Sequence, residues 1–349
     1  MAAITPAMIK ELRERTSAGM SDCKNALTEA EGDLDKAVDI ILKKGLVKAA
    51  SRAGKVATEG EVATWVSADG KTGTIVEINS QTDFVSRGDD FRAFVKNVLD
   101  VASKLAVSGG KGKDLGAQTY PGSDKTIDLI RQELVGRIGE NIVLRRWDVL
   151  EAKAANAVAQ SYVHMGGKLA VLIDVEAPSA EAKASPDFKA FVENCAMQIA
   201  AMSPLVVRKD EVPAATIDKQ KEIYFAQLKE ELDSANARIA ELKAGGHDLN
   251  EADLKAELKH AESRKGPPEA MWPKVVDGKV SKWFTEVTLL GQDNVWEPGA
   301  GTIDKVRGEL GKKLGGEVKV NAFVRFALGE GIEKKVENLA DEVAKTMGA

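Results

Sequence analysis

Hydrophobic residues in the first 45 positions recur at intervals of three and four, the spacing of helices with one apolar face. Thr5-Pro6 supplies a capping residue and a proline for the first turn of a first helix. A second helix is predicted at 21–30, and a third begins near Leu34 and ends at Gly45. Because so small a bundle buries little surface, we expect an exposed apolar patch around Met20 that meets a partner.

After a basic linker at 48–55 the pattern changes to an alternation of apolar and polar residues, which is typical of strands. Strands at 61–67 and 72–79 flank a turn at Gly70-Lys71 and predict a hairpin. Two helices and another strand are predicted to follow, at 91–105, 127–138 and 142–149. This mixture of elements predicts an α+β fold.

The second half of the chain repeats the first at a fixed offset of 97 residues (162 − 65). Trp65-Val66 is matched by Tyr162-Val163, and Asp90-Phe91 is matched by Asp187-Phe188. We interpret the repeat as two related subdomains, each a hairpin followed by a helix whose shared Phe and Val positions pack on the sheet. Residues that the two copies share are therefore expected to maintain the fold.

Beyond position 217, five apolar residues are spaced four, three, four and three apart, which is the seam of a coiled coil. They are Leu228, Leu232, Ala235, Ile239 and Leu242. The seam is interrupted at Gly245-Gly246 and then resumes, so 217–265 is expected to fold back as an antiparallel helical hairpin. The remaining elements are predicted as a helix at 269–282, a strand at 283–290, a strand at 318–327 and a terminal helix at 332–347.

These patterns divide the chain into consecutive parts. They are an N-terminal three-helix module with its linker (1–55), a first core subdomain (56–150), a second core subdomain in two parts (151–216 and 267–329), a coiled-coil arm between those parts (217–266), and a C-terminal helical module (330–349).

Composition and charge exclude several classes of protein. With 44% hydrophobic and 30% charged residues among 349, the chain is typical of a soluble cytoplasmic protein, and its apolar runs are too short to cross a bilayer. A net charge of -5 and 5% aromatic residues argue against direct binding to nucleic acid. Cys23 and Cys195 lack metal-site neighbours, so we expect two packed, reduced thiols, with a dimer-linking cysteine as the alternative.

Motifs for enzymatic chemistry are incomplete. Gly166-Gly167-Lys168 is followed by Leu169, and Tyr162 stands where a phosphate-binding loop needs its first glycine. Gly329-Glu330-Gly331 lacks the third glycine of a dinucleotide-binding fingerprint. Histidines and carboxylates do not occur together at metal-ligand spacing. We therefore expect a protein that is not an enzyme and that uses no cofactor or metal.

The two copies disagree at one place after their second strands. The first copy has Thr82-Asp83-Phe84-Val85, where the second has Ser179-Ala180-Glu181-Ala182. Asp83-Phe84 thus has no counterpart, so a role for Phe84 as core filler becomes less favoured, whereas a local capping role for Thr82 or Asp83 stays open. A functional role is slightly favoured over a structural one.

Several strings resemble the signatures of the elongation factor Ts family, in the family's order and over nearly the whole chain. They are Leu12-Arg13-Glu14-Arg15-Thr16, Ala18-Gly19-Met20, Asp22-Cys23-Lys24, Gln81-Thr82-Asp83-Phe84-Val85, 289–298 and 323–334. The resemblance implies a guanine-nucleotide exchange factor of translation elongation that binds elongation factor Tu, in its GDP-bound and nucleotide-free forms, and promotes GDP release. It also implies a UBA-like fold for the N-terminal module.

The resemblance further implies which residues contact elongation factor Tu. Asp83 and Phe84 would enter a gap between helices of the GTPase domain near the magnesium and the nucleotide, flanked by Thr82 and Val85. Further contacts are implied for Arg13, Met20 and Lys24 in the N-terminal module and for His164, Val295 and Trp296 in the second subdomain. Met20 as cover for the small core and His164 as an ordinary strand-end residue are the structural alternatives.

A rival interpretation is a non-catalytic adapter, in which the three-helix module binds a ubiquitin-like or other helical partner and the arm assembles complexes. The sequence leaves a homodimer open, and it does not reveal the role of the arm.

Overall fold

The computed structural model of the chain describes residues 4–16, 18–245 and 248–333. They fall into two compact units, one within Met1–Ala201 and Leu314–Ala349 and the other within Met202–Lys313. The elements mix helices and antiparallel sheets, which confirms the predicted α+β class. In the described ranges, no helix has the length and apolar character needed to cross a membrane.

The first unit begins with three helices around a small apolar core. They are α1 (Pro6–Thr16), α2 (Met20–Glu29) and α3 (Leu34–Arg52). Leu12, Cys23 and Leu27 are fully buried between them. Asp33 caps α3, because its carboxylate accepts hydrogen bonds from the backbone N–H groups of Asp35 and Lys36. The three predicted helices are confirmed.

The first sheet has the antiparallel order β1-β2-β3. Its strands are β1 (Glu59–Val66), β2 (Thr72–Ser80) and β3 (Ile142–Glu151), and the helices between β2 and β3 are α4 (Asp83–Ser86), α5 (Asp89–Val107) and α6 (Ile127–Ile138). The central strand is buried on both faces. Val76 and Ile78 contact the apolar cluster formed with α5 and α6, whereas Ile75 belongs to a cluster with the second sheet. The three predicted strands are confirmed.

The prediction that the third helix ends at Gly45 is wrong, because α3 continues to Arg52 and includes most of the expected linker. Gly45 instead lies where α3 crosses α6. A Cβ atom added at Gly136 of α6 would be 2.5 Å from the Cα of Gly45. A glycine in this helix therefore serves close backbone packing rather than helix termination.

The second sheet repeats the first, with the antiparallel order β4-β5-β6. It contains β4 (Ala157–His164), β5 (Leu169–Glu176) and β6 (Lys319–Ala327), with α7 (Ala180–Ala184) and α8 (Pro186–Met202) following β5. The strand predicted at 318–327 is confirmed as β6. The strand pairing is irregular at equivalent places in the two sheets, between Glu77 and Ile78 in one and between Asp174 and Val175 in the other.

The two sheets pack face to face with approximate two-fold symmetry. Ile75 and Leu172, which are equivalent in the repeat, lie in the same buried cluster. Two equivalent hydrogen bonds cross between the sheets: Val62 N–H donates to the carbonyl of Gly167 at 2.8 Å, and Ala159 N–H donates to that of Gly70 at 2.7 Å. The repeat detected in the sequence is thus a repeat of structure.

A lysine fixes the linker between the two repeats. The Nζ of Lys71 donates hydrogen bonds to the carbonyl oxygens of Ala154, Ala155 and Ala157, at 2.6, 2.9 and 3.0 Å. These carbonyls belong to the segment that connects β3 to β4 and to the first residue of β4. The ammonium group thereby donates to three backbone acceptors. Two of them have a second donor, since Ala154 also accepts from Ala157 N–H and Ala157 also accepts from the Nζ of Lys183, each at 3.1 Å.

The second unit is helical. It contains α9 (Ala214–Ala244), α10 (Glu251–Ser263), α11 (Trp272–Val287) and α12 (Ile303–Leu314). Ile239 and Leu242 of α9 are buried against Ala261 of α10, which confirms the antiparallel hairpin. The strand predicted at 283–290 is wrong, because α11 extends to Val287 and buries Val280 and Phe284, one helical turn apart. The terminal helix predicted at 332–347 lies almost wholly outside the described residues.

Candidate functional site

The Asp83-Phe84 segment forms the single-turn helix α4 at the end of β2. Thr82 has extended backbone geometry and is the N-cap, since its Oγ1 accepts a hydrogen bond from Val85 N–H at 3.4 Å. The hydroxyl of Ser80 donates to the carbonyl of Thr82 at 3.0 Å, and the hydroxyl of Ser86 donates to the carbonyl of Asp83 at 3.1 Å. The local sequence therefore caps the turn and connects it to the end of β2.

Two residues remote in sequence hold this turn from the other side. Thr82 N–H donates to the Glu140 carboxylate at 3.1 Å, and the Thr82 hydroxyl lies 2.9 and 3.0 Å from the two carboxylate oxygens. The backbone N–H of Asn141 donates to the side-chain oxygen of Gln81 at 2.8 Å. Neither Glu140 nor Asn141 is predicted from the sequence as part of this site. The only local signal was Gly139, which ends α6 in the left-handed conformation and leaves two polar residues before β3.

The side chains of α4 point in different directions. Phe84 is 85% exposed, the highest value among the large apolar side chains that the structure describes. Val85 packs against the core cluster of the first sheet, and Asp83 forms an ion pair with Arg87 at 3.0 Å. Large aromatic side chains are usually buried in the fold or in an interface, so an exposed ring on an anchored turn indicates an interaction site.

The second repeat provides an internal control for this interpretation. The equivalent helix α7 is capped by Ser179, whose Oγ accepts a hydrogen bond from Ala182 N–H at 3.1 Å. Ala182, at the position of Val85, is buried, and Glu181, at the position of Phe84, is exposed. Both repeats therefore keep the cap and the buried aliphatic residue. The repeated fold therefore requires neither an aspartate at position 83 nor an aromatic ring at position 84.

The predicted contact residues of the N-terminal module are all on its surface. Met20 is 65% exposed at the start of α2, and Arg13 and Lys24 are exposed on α1 and α2. The structure thus argues against Met20 as a cover for the small core, whose buried members include Leu12 and Cys23. The assignment of these three residues to a partner contact remains a prediction.

His164 is exposed at the end of β4 in the first unit. Its ring stacks on that of Tyr162 at a centroid distance of 5.9 Å, and its Nδ1 lies 3.0 Å from the Tyr162 hydroxyl. In the second unit Val295 is exposed and Trp296 is half-buried, in a loop where Asn294 bonds the carbonyl of Gly301 at 2.8 Å. Their roles in binding also remain predictions.

Glu77, on the strand that leads to the turn, is a fully buried carboxylate. Arg145 and Arg146 form ion pairs with it, and the backbone N–H of Gly329 donates to it at 2.8 Å. Burial raises the pKa of Glu77, but the Gly329 hydrogen bond and the two guanidinium groups outweigh that effect and hold its pKa below the ordinary value. Glu77 thus joins the central strand to the segment after β6.

Asp174 is the counterpart of Glu77 in the second repeat and is 5% exposed. One of its carboxylate oxygens has no hydrogen-bond partner in the part of the chain that the structure describes. Burial raises the pKa of Asp174 above the ordinary value, with Glu176 adding to the rise and the Asn321 side chain and Lys71 opposing it. The buried carboxylate at this position therefore has charged partners in the first repeat and few stabilising partners in the second.

Comparison with known proteins identifies the family. The sequence model described as "Elongation factor TS" matches residues 81–330. The proteins named elongation factor Ts from Clostridium botulinum (strain Eklund 17B / Type B) and Clostridium kluyveri (strain ATCC 8527) are 41% and 39% identical to this chain. The matches cover 99% and 98% of both chains in each pair. The chain belongs to the elongation factor Ts family.

Membership in the elongation factor Ts family confirms the resemblance drawn from the signature strings and makes the chain a translation elongation factor by descent. The match to the family begins at Gln81, within the string that forms the capped turn. Among the described residues, no group of three or more His, Cys, Asp or Glu side chains is arranged to hold a metal ion. Cys23 and Cys195 are buried free thiols.

Proposed function

We propose that this protein is a guanine-nucleotide exchange factor that binds elongation factor Tu and promotes release of its GDP. The observation that carries the proposal is the exposure of Phe84 on an anchored turn, at a position where the second repeat has an exposed glutamate. An aromatic ring offers a large contact area at low entropic cost, and such rings are frequent anchors of protein interfaces. Family membership gives the partner.

The mechanism is one of linkage between two binding equilibria. Phe84 enters the GTPase as an apolar wedge, and Asp83 beside it displaces the helices that hold the magnesium and the phosphates. Because the factor binds nucleotide-free elongation factor Tu more tightly than the GDP-bound form, GDP must bind more weakly to the complex by the same factor. A coupling free energy of about 2.8 kcal/mol weakens GDP binding about a hundredfold.

The other predicted residues fit a supporting role in this mechanism. Arg13, Met20 and Lys24 would contact the GTPase domain, while His164, Val295 and Trp296 would bind the partner at a domain remote from the nucleotide. These contacts would bind both nucleotide states alike and thereby raise the local concentration of the Phe84 ring. Uniform binding of this kind supplies affinity but no coupling.

No step in this mechanism makes or breaks a covalent bond, so we propose that the protein is not an enzyme in the chemical sense. It would act without a cofactor or metal of its own, and the magnesium that it disturbs would belong to elongation factor Tu. Its partner would be a protein rather than nucleic acid or a membrane.

The decisive experiment measures release of a fluorescent GDP analogue from elongation factor Tu by stopped flow. Wild-type protein should accelerate release, and Phe84→Ala should reduce that acceleration by roughly 30-fold, which corresponds to about 2 kcal/mol. Glu181→Ala is the matched control, because it truncates the equivalent exposed position in the second repeat. If wild-type protein binds but does not accelerate release, the adapter interpretation would replace exchange.

A further inference from the structure

The helix that carries Phe84 is too short to hold its own conformation. α4 has four residues, and an isolated helical turn is unstable because nucleation fixes several dihedral angles for one hydrogen bond. The capping bond from Val85 N–H to Thr82 is long, at 3.4 Å. The conformation of the turn must therefore come from contacts outside it.

Glu140 supplies a charged group among these contacts. Its carboxylate accepts hydrogen bonds from both the N–H and the O–H of Thr82, at distances between 2.9 and 3.1 Å. Hydrogen bonds to an ionised acceptor are stronger than neutral ones, and two bonds to one residue fix its orientation as well as its position. Since Thr82 is the residue before Asp83, its orientation sets the direction in which the turn begins.

Asn141 connects the same turn to the end of α3. Its backbone N–H holds Gln81, and its side-chain amide donates to the carbonyl of Lys55 at 2.7 Å and to that of Ala53 at 3.3 Å. Asn141 is almost fully buried, so these bonds are shielded from competing water. One residue therefore bonds both the base of the turn and the segment that follows the N-terminal module.

We propose that Glu140 and Asn141 are positioning residues for exchange, which orient the Phe84 turn before it meets elongation factor Tu. The inference rests on the proposed function and adds to it the residues that give Phe84 its fixed direction. Neither residue has to touch the partner. A preorganised turn enters the GTPase without a further loss of conformational entropy, so the interaction energy of the ring goes into displacing GDP.

This role predicts a specific kinetic signature for Glu140→Ala. The GDP-bound partner should bind as well as before, because Phe84 is not yet inserted in that complex. The rate of GDP release at saturating factor, and the affinity for nucleotide-free elongation factor Tu, should each fall about tenfold, the scale of one or two lost charge-assisted hydrogen bonds. Asn141→Ala should lower both by about threefold.

A merely structural role would give a different result. Partial unfolding lowers the fraction of active protein, which changes the end-point of a binding titration but not the release rate at saturation. Glu133→Gln is the control within α6, because it removes the ion pair to Lys125 without contacting the turn. That variant should release GDP at the wild-type rate.

A double-mutant cycle tests the Thr82 contact directly. Thr82→Val removes the hydroxyl, and combining it with Glu140→Ala should cost less than the product of the two single effects, since both changes break the same contact. A saturating rate within twofold of wild type for Glu140→Ala would overturn the role of Glu140, and the same result for Asn141→Ala would overturn that of Asn141.

The outcome for Phe84→Ala separates this inference from the proposed function. If Phe84→Ala abolishes accelerated release while the Glu140 and Asn141 variants retain it, the positioning role fails and exchange through Phe84 stands. If Phe84→Ala itself releases GDP at the wild-type rate, the proposed use of the ring fails.

Discussion

Glu77 and Asp174 are equivalent residues of the two repeats, yet their carboxylates are compensated very differently. Each lies on the central strand of its sheet, directly before an irregularity in the pairing with the third strand, and each is buried. Glu77 has two arginine partners and a backbone N–H, whereas Asp174 has an oxygen without a partner among the described residues. The buried carboxylate thus stabilises the folded state in the first repeat and destabilises it in the second.

Glu77→Gln should destabilise the first sheet. The substitution removes a fully buried carboxylate that both guanidinium groups contact, while Arg146 keeps Glu330 at 3.5 Å, and the loss of hydrogen bonds to a charged acceptor costs about 1.5–3 kcal/mol. Native-state hydrogen exchange of β2 amides measures the loss as a reduced opening free energy. Glu59→Gln, which removes a partly exposed ion pair with Lys168 at the start of β1, should cost less than about 1 kcal/mol and is the control.

The effect of Glu77→Gln on the opening free energy should depend on pH. Because the folded pKa of Glu77 is depressed, its stabilisation is complete above the ordinary pKa of about 4.3 and is lost as the pH falls through the folded value. The difference in opening free energy between wild type and Glu77→Gln should therefore shrink below about pH 4. A difference that stays constant down to pH 3 would contradict the ionised pair.

Asp174→Asn should have the opposite effect. The folded pKa of Asp174 is raised, so wild-type stability declines as the pH rises from the ordinary pKa of about 3.9 through the folded value. Removing the charge should raise the opening free energy of β5 amides by about 1 kcal/mol at neutral pH. The gain should disappear near pH 3, where wild-type Asp174 is protonated, and a loss of stability at neutral pH would contradict the prediction.

Gly136→Ala should loosen the N-terminal module. A methyl group at this position would lie within 2.6 Å of the backbone oxygen of Gly45, and overpacking of this kind costs about 1–3 kcal/mol. That cost exceeds the gain of about 1 kcal/mol that alanine brings to a helix. Gly278→Ala in α11 meets open space and should show the gain alone. Hydrogen exchange in α3 and in α11 would measure the two effects.

Neighbouring residues of the turn should separate stability from exchange. Val85→Ala removes methyl groups that pack on the core cluster, so it should lower the thermal stability of the first unit by about 1 kcal/mol. Phe84→Ala should change stability by less than about 0.5 kcal/mol, because the ring is in solvent. A larger loss for Phe84→Ala than for Val85→Ala would mean that Phe84 is a structural residue.

The sequence predicted those parts of the fold that depend on local pattern and on the repeat. The 97-residue offset (162 − 65) placed Ile75 opposite Leu172 in the alignment, and these residues share a buried cluster. It also singled out Asp83 and Phe84, which have no counterpart in the second copy. Because the same fold occurs twice in one chain, equivalent residues can be compared. Residues shared by both copies are expected to maintain the fold, and residues present in one copy are candidates for function.

The features that were not predicted depend on contacts between distant segments. Gly45 has the local signature of a helix end, but α3 continues past it, and the glycine is explained by its close packing against Gly136. Aromatic and β-branched residues are frequent at 283–290, as in a strand, yet Val280 and Phe284 are buried against α9 on one face of a helix. The bonds from Glu140 to Thr82 join residues 58 positions apart, a separation that no local pattern records.

Lys71 makes the segment that connects the two repeats independent of the metal ions in solution. Many proteins bind a metal ion from solution through several converging carbonyl oxygens. Here the cation is the ammonium group of a lysine in the chain itself. Chelators and shifts in divalent-ion concentration therefore leave this segment intact. A reaction at the amine itself, such as acylation, would neutralise the charge and remove these three hydrogen bonds, leaving the one from Lys183 to Ala157.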